Sequence, residues 1–281
     1  MRTIRDPAEL QALVRKLPAP IVLVPTMGAL HQGHLALVRR AKAVSRQRGT
    51  VAASLFVNPT QFGPNEDFSR YPRPFARDHR LLQQTGCDLL FAPSPEAMYA
   101  PDRSVTVIET ALAHVMCGAS RPGHFDGVCT VVAKLFNLFR PHRAIFGAKD
   151  YQQFAIIRRM VRDLNFPIVL EAHPTVREAD GLALSSRNVY LSPEERAQAP
   201  IIQQTLAGAA NKVRGGESST ARLTNWMRRA LEKAPAARLD YAVAVDPETL
   251  VARAKLRTPL LLAAAVYFGP TRLIDNILLE G

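Results

Sequence analysis

Residues 21–49 read IVLVPTMGALHQGHLALVRRAKAVSRQRG. Ile21 to Val24 is an unbroken aliphatic run, the mark of a strand buried on both faces, and Leu35, Leu37, Val38 and Ala41 then recur at helical spacing before Gly49 ends the pattern. Between them lies a turn carrying Gly28 and Gly33. Strand, glycine-bearing turn and helix make one β-loop-α unit, and repetition of such units builds a parallel sheet covered by helices.

Working outward, VAASLFV (Val51 to Val57) predicts the next strand, closed by the turn former Asn58-Pro59. A helix around Arg77 to Thr85, a strand from Asp88 to Phe91, a helical VVAKLFNLF and a strand from Arg143 to Phe146 continue the alternation. Beyond residue 175 the pattern changes. A helix over Pro193 to Val213, the linker-like RGGESS (Arg214 to Ser219), and a helix over Thr220 to Lys233 precede YAVAV and LLLAAAVYF, which predict antiparallel strands. The fold class is α/β, with a second, smaller α+β domain whose seam lies between Val176 and Asp180.

The composition agrees: 281 residues, 47% hydrophobic and 21% charged, support one large or two modest domains and exclude a disordered, collagenous or coiled-coil chain. The net charge is +12, and 29 of the 36 basic residues are arginine, which raises nucleic acid as a partner. An RNA-binding module, however, predicts arginines clustered on one face with aromatics interleaved. Here they are scattered over both domains, and aromatics are only 7%. Cys87, Cys117 and Cys129 are odd in number with no CxxC pair, which supports neither a disulfide framework nor a zinc knuckle but reduced, cytoplasmic thiols. The N-terminal stretch has no apolar core of a secretory signal, and the longest apolar run, Leu260 to Phe268, is far short of the roughly 20 residues of a membrane helix. A soluble protein is expected.

Chemistry concentrates where predicted strands end. PTMGALHQGH (Pro25 to His34) sits between strand and helix, where free amides and the helix dipole favour phosphate. His31 and His34, three apart, project from one side of a first helical turn if the helix starts near His31; they are then hydrogen-bond donors to phosphate, capping residues, or two metal ligands. No P-loop sequence occurs. In FVNPTQFGPNEDFSRYPR (Phe56 to Arg73), Asn58 and Gln61 are neutral amides suited either to a small polar acid or to capping backbone. IFGAKDYQQF (Ile145 to Phe154) puts Lys149 after a glycine turn, with Asp150 and Gln153 on the first turn of the next helix. VREADGLALSSRN (Val176 to Asn188) offers Ser185, Ser186 and Arg187 in a mobile-looking loop at the seam. RPGHFDGV (Arg121 to Val128) reads as a structural loop before a helix.

In this order, with FAPSPEAMY (91–99) and the C-terminal TRLIDN (271–276), these motifs resemble the pantothenate synthetase (pantoate-β-alanine ligase) family over nearly the whole chain. Its HxGH motif also marks other nucleotidyltransferases, among them enzymes that adenylylate a phosphate ester. The resemblance implies a Rossmann-like ATP- and pantoate-binding domain (1–176), a C-terminal lid domain (177–281) and a cytoplasmic homodimer. It implies Mg²⁺-dependent condensation of pantoate with β-alanine through pantoyl adenylate, releasing AMP and pyrophosphate, with no nucleic-acid or membrane partner.

Carried onto this sequence, Met27, Gly28, Ala29, Leu30, His31, Gln32, Gly33 and His34 line the ATP site. His34 holds the proton-donor position, and His31 assists in stabilising charge. Gly147, Ala148, Lys149, Asp150, Val176, Leu184, Ser185, Ser186 and Arg187 contact ATP, and Lys149, Ser185, Ser186 and Arg187 join the histidines as the catalytic set. Gln61 and Gln153 bind pantoate, with Gln61 also close to β-alanine; no residue is assigned to the metal. Ala148, Leu184 and Asp126 depart from the family, where Glu, Met and Arg are frequent.

Overall fold

The computed structural model describes residues 1–45, 48–64 and 66–281. Its first part alternates β1 (Arg2–Ile4), α1 (Pro7–Val14), β2 (Ile21–Thr26), α2 (Gln32–Val44), β3 (Thr50–Leu55), α3 (Phe75–Thr85), β4 (Leu89–Phe91), α4 (Pro95–Met98), α5 (Cys117–Ser120), α6 (His124–Phe139), β5 (Arg143–Gly147), α7 (Tyr151–Asp163) and β6 (Val169–His173). The six strands are parallel, in the order β1-β4-β3-β2-β5-β6. Alternate side chains leave opposite faces of the sheet. Val22, Val24, Val51 and Ala53 pack against Leu35, Val38 and Ala41 of α2 and Leu82 of α3. Leu23, Ala52, Ala144 and Phe146 meet α6 and α7 through Val132, Phe136 and Ile156.

The second part holds α8 (Pro193–Gln198), α9 (Ile201–Arg214), α10 (Thr220–Leu231), β7 (Ala237–Val245), β8 (Leu260–Phe268) and β9 (Thr271–Leu279), the strands forming an antiparallel sheet in that order. Leu262, Ala264 and Val266 of β8 pack under Leu206, Leu223 and Met227 of α9 and α10. The alternate residues Leu261 and Ala263 join the core of the first part. The two sheets therefore share one apolar seam. Among the described residues no helix is long and apolar enough to cross a membrane.

Several boundaries differ from the sequence prediction. The predicted helix to Gly49 stops at Val44; Arg46 and Gln47, inside that prediction, and Asn65 of the Phe56 to Arg73 motif, lie outside the described residues. The edge strands β1 and β6 escape prediction because charged and exposed residues interrupt their apolar runs, unlike the buried β4 and β5. The helix predicted over Pro193 to Val213 is two helices, since Pro200 lacks an amide hydrogen and its ring crowds the preceding turn. His124 is not in a loop before a helix but is the first residue of α6, whose polar first turn hides the apolar period.

Gly127 lets α6 touch the turn Pro59–Gln61: a Cβ built there would lie 2.4 Å from the Thr60 carbonyl oxygen and 2.6 Å from the Gln61 nitrogen. Both are backbone atoms and cannot rotate aside. Gly127→Ala is expected to cost roughly 1–3 kcal/mol of stability, read as a lower urea midpoint; an unshifted midpoint would contradict this contact.

Candidate active site

The chain adds β3 and β4 on one side of β2, then crosses to add β5 and β6 on the other. Loops leaving β2 and β5 consequently diverge at the carboxyl ends of adjacent strands, the place where open α/β sheets bind ligands. A cleft opens there. Met27, His31, Gly33 and His34 line it from the β2 loop, Asn58 and Gln61 from the β3 loop, and Gly147, Lys149, Asp150 and Gln153 from the β5 loop. Val176 and Leu184 close its far side, over an apolar floor of Val128, Val131 and Val132 from α6.

The two histidines cap α2. His31 is the N-cap residue, and its Nδ1 accepts from the Gly33 amide at 3.1 Å; His34 Nδ1 accepts from the His31 amide at 3.4 Å. With both Nδ1 atoms accepting, the neutral rings carry their protons on Nε2. The rings lie 4.0 Å apart between centroids. Burial, reinforced by the Lys149 ammonium and Arg77 and opposed by Asp150, lowers His31 to about 4; burial, His31 and Lys149 hold His34 well below its ordinary value. Capping and a chemical role thus coincide, giving two neutral N–H donors on one cleft wall. Among the described residues no three His, Cys, Asp or Glu side chains gather to hold a metal ion.

The turn before them is held from outside. Gly28 and Ala29 have φ of +98° and +51°, and the Ala29 and Leu30 amides donate to the buried Asp78 carboxylate at 2.7 and 3.0 Å. A left-handed alanine costs roughly 1–2 kcal/mol, and amide bonds to a charged acceptor offset about 1.5–3 kcal/mol each. Burial raises the Asp78 pKa from its ordinary value, with the two amides pulling the other way. The amides expected to face nucleotide are therefore occupied. Gly28 lines a separate cavity beside Asp78, and Ala29, Leu30 and Gln32 do not line the cleft.

On the β3 side, Asn58 is completely used within the protein. Its Nδ2 donates to Gln61 Oε1 and the Gly127 carbonyl, while its Oδ1 accepts from Thr60 and from the Tyr99 hydroxyl. It orients Gln61, whose Nε2 donates to Met27 Sδ at 3.0 Å. His124 Nδ1–H donates to the Gln61 carbonyl at 2.7 Å, its Nε2 accepts from Arg121, and Arg121 forks onto Glu66 with two 2.6 Å bonds. Burial, then Arg121, lowers His124 to about 4. The structural role expected of Arg121 to Val128 is this clamp on the back of Gln61. Asp126 lines neither this cleft nor the cavity next to it.

On the opposite wall, Asn276 of β9 donates to the Ala148 and Lys149 carbonyls at 2.9 and 2.7 Å, so the second sheet braces the lysine turn. Lys149 Nζ donates to the Leu184 carbonyl at 3.3 Å. Gln152 is buried and donates to the Leu112 and Val115 carbonyls; Gln153, the next residue, lines the cleft, and its side-chain amide has no hydrogen-bond partner among the described residues.

The loop expected to be mobile is a tied hairpin. Leu184 bonds back to Val176, Arg177 pairs with Asp275, and Asn188 holds Glu178 and the Ala183 carbonyl. Its tip is held too: Arg187 forks onto Asp67 at 2.8 and 3.0 Å, and the Ser186 and Tyr71 hydroxyls lie 3.2 Å apart. Ser185 and Arg187 line a second cavity, which shares Lys149, Asp150 and Gln153 with the first and reaches Arg272 and Cys117.

The family model for pantoate-beta-alanine ligase matches residues 2–278. The chain belongs to the pantoate-β-alanine ligase family. Pantothenate synthetases of Thermotoga neapolitana and Moorella thermoacetica are each 50% identical to it, over 99% and 100% of this chain and 99% and 98% of theirs. The crystal structure of pantothenate synthetase from Thermus thermophilus superposes with a TM-score of 0.93 at 49% identity, covering 100% of both chains. That of the Francisella tularensis pantoate-beta-alanine ligase complexed with beta-gamma ATP and beta-alanine has a TM-score of 0.80 at 33% identity, covering 99% of this chain and 97% of that one. Family membership makes the chain an ATP-dependent ligase of pantothenate biosynthesis.

Sequence reasoning missed Asp78, Asn276, Asp67 and Tyr71. Asp78 carries no sequence signal, being one acid in the polar first turn of a helix, and Asn276 follows Asp275 in an unrecognised strand.

The histidines set a pH dependence. The unfolded chain takes up imidazole protons near pH 6.5, whereas folded His31 and His124 resist them to about pH 4. Their contribution to stability is fully present above pH 6.5 and is lost as pH drops from 6.5 toward 4. Urea midpoints across that window, with ring ¹⁵N shifts showing His31, His34 and His124 still neutral at pH 5.5, check this; a charged ring there would refute it.

Proposed function

We propose that this ligase joins pantoate to β-alanine in two steps, the observation carrying the reading being the single cleft between the β2 and β5 ends, with paired neutral imidazoles on one wall and Lys149 on the other. A carboxylate is a poor acyl donor because oxide would have to leave. Attack of the pantoate carboxylate on the α-phosphorus of ATP expels pyrophosphate and turns that leaving group into AMP. The β-alanine amine then adds to the acyl carbon, and pantothenate and AMP depart.

Pantoate is held by the Gln61 and Gln153 amides over the apolar floor of α6. Neutral donors suit an anion that must attack, since a fork of arginine would quench its nucleophilicity. His31 and His34 point Nε2–H donors at phosphate oxygens gaining charge in the transition state, with His34 in the proton-donor position. Lys149 supplies the compact cation. Met27, Gly33, Gly147, Ala148, Asp150, Val176 and Leu184 complete the ATP site, while Gly28, Ala29, Leu30 and Gln32 serve it by shaping the turn. Ser185 faces the phosphates, and Ser186 and Arg187 reach them by exchanging their contacts with Tyr71 and Asp67 for phosphate oxygens. β-Alanine enters beside Gln61, in keeping with the β-alanine carried by the Francisella relative.

Asp150 is the one carboxylate on the walls of the two cavities with no hydrogen-bonded or ion-paired partner among the described residues, Asp275 being paired with Arg177. A single carboxylate plus substrate phosphates is a donor set that Mg²⁺ accepts, so Asp150 would hold it. The bound ion neutralises phosphate charge. We further propose a division into 1–176 and 177–281, a homodimer and a cytoplasmic location.

Coupled assay of AMP release is expected to require pantoate, β-alanine and ATP together and to stop on chelation of Mg²⁺; AMP formation independent of either acid would overturn the assignment. His34→Ala and Lys149→Ala are each expected to lower kcat by roughly 10²–10³ with unchanged circular dichroism. Near-normal turnover would remove that residue from the chemistry.

A further inference from the structure

We infer that the first turn of α3, through Asp78 and its neighbour Arg77, is the positioning element for phosphate chemistry at the carboxyl end of β2, resting on the ligase reading above. Asp78 does not border the substrate cleft; it lines the separate cavity behind the β2 loop. Its carboxylate, 2% exposed, receives the Ala29 and Leu30 amides at 2.7 and 3.0 Å. Arg77 donates to the Leu30 carbonyl at 3.1 Å, so one peptide unit after another is gripped from the same helical turn. His31 follows Leu30 directly and begins α2 as its N-cap.

Amides at a strand-to-helix turn ordinarily bind the ligand's anion. Here an internal anion takes two of them permanently. Two consequences follow from that substitution. The turn is locked in its left-handed Gly28–Ala29 form before any nucleotide arrives, and Gly28 has no room for a side chain without strain, since its φ is +98° and a Cβ would lie 3.2 Å from Asp78 Oδ2. The work of meeting phosphate passes from backbone to the imidazoles, whose placement then depends on how firmly Leu30 is held. Asp78 and Arg77 touch no substrate and act through His31 and His34.

The test is steady-state kinetics of the full-length enzyme carrying Asp78→Asn or, separately, Arg77→Met. Asparagine keeps the shape but offers one acceptor oxygen and turns an NH₂ group against the second amide. Asp78→Asn is expected to lower kcat at least ten-fold, with the KM for pantoate within two-fold of wild type, and to raise the acid limb of the kcat profile as the histidines become less buried. Arg77→Met, at an exposed position, is expected to fold normally and to lower kcat about three-fold. A role confined to stability would lower the melting temperature without moving kcat or its pH profile in the folded protein. Full kcat in every variant that folds would overturn the inference. Wild-type enzyme that releases no AMP with pantoate and β-alanine would instead sink the ligase reading, so the two failures are distinguishable.

Discussion

Because the chain fills the sheet on one side of β2 before crossing to the other, the loops after β2 and β5 part and leave a crevice that no side chain of the sheet fills. Everything chemical in the molecule hangs on that divergence. It brings Lys149 and His31, far apart in sequence, onto the walls of one cleft. Loops so placed need support from elsewhere, and each has it. Asp78 of α3 takes the β2 loop, Asn58 with His124 and Arg121 takes the β3 loop at Gln61, and Asn276 of β9 takes the lysine turn. Each anchor grips main-chain groups and so fixes the backbone of its loop, while Asn58 also orients the Gln61 side chain.

Asn276 gives the second sheet a part in the site that its distance in sequence conceals. Leu261 and Ala263 bury one face of β8 against the first core, and β9 then lies close enough to hold the Ala148 and Lys149 carbonyls. The same strand places Asp275 against Arg177, at the root of the Val176 to Arg187 hairpin. The hairpin is thus rooted on the sheet that also braces the lysine turn. Its tip is neutralised in the free protein by Asp67, whose pKa is held below its ordinary value by the Arg187 fork against the opposing effect of burial. In the ligase reading, phosphate competes with that carboxylate for Arg187.

The arginine excess has a structural destination. Every ion pair among the described residues uses arginine as its cation, several of them forked, as in Arg121–Glu66, Arg187–Asp67 and Arg272–Asp240. Planar guanidinium suits such bidentate bonding and lysine does not. Much of the basic composition that first raised nucleic acid as a partner thus holds loops and lid together, and only Lys149 and Arg187 are turned to the nucleotide in the ligase reading.

Periodicity in the sequence was enough for the class of fold, the alternation through β5 and the antiparallel character of the second sheet, since each rests on local apolar spacing. The motif strings likewise marked His31, His34, Gln61, Lys149 and Gln153 as cleft residues, because glycine turns after strands announce themselves locally. Strand order, and with it the switch between β2 and β5, depends on pairing between distant segments and is written in no single stretch. The same holds for the anchors: Asp78 and Asn276 are ordinary polar residues until folding buries them against particular amides and carbonyls, and Asp67 until it meets the Arg187 guanidinium. It was tertiary structure, too, that turned the Ala29 and Leu30 amides away from the cleft. A backbone donor satisfies whichever acceptor the fold brings within 3 Å, and here that acceptor came from a helix some fifty residues along the chain.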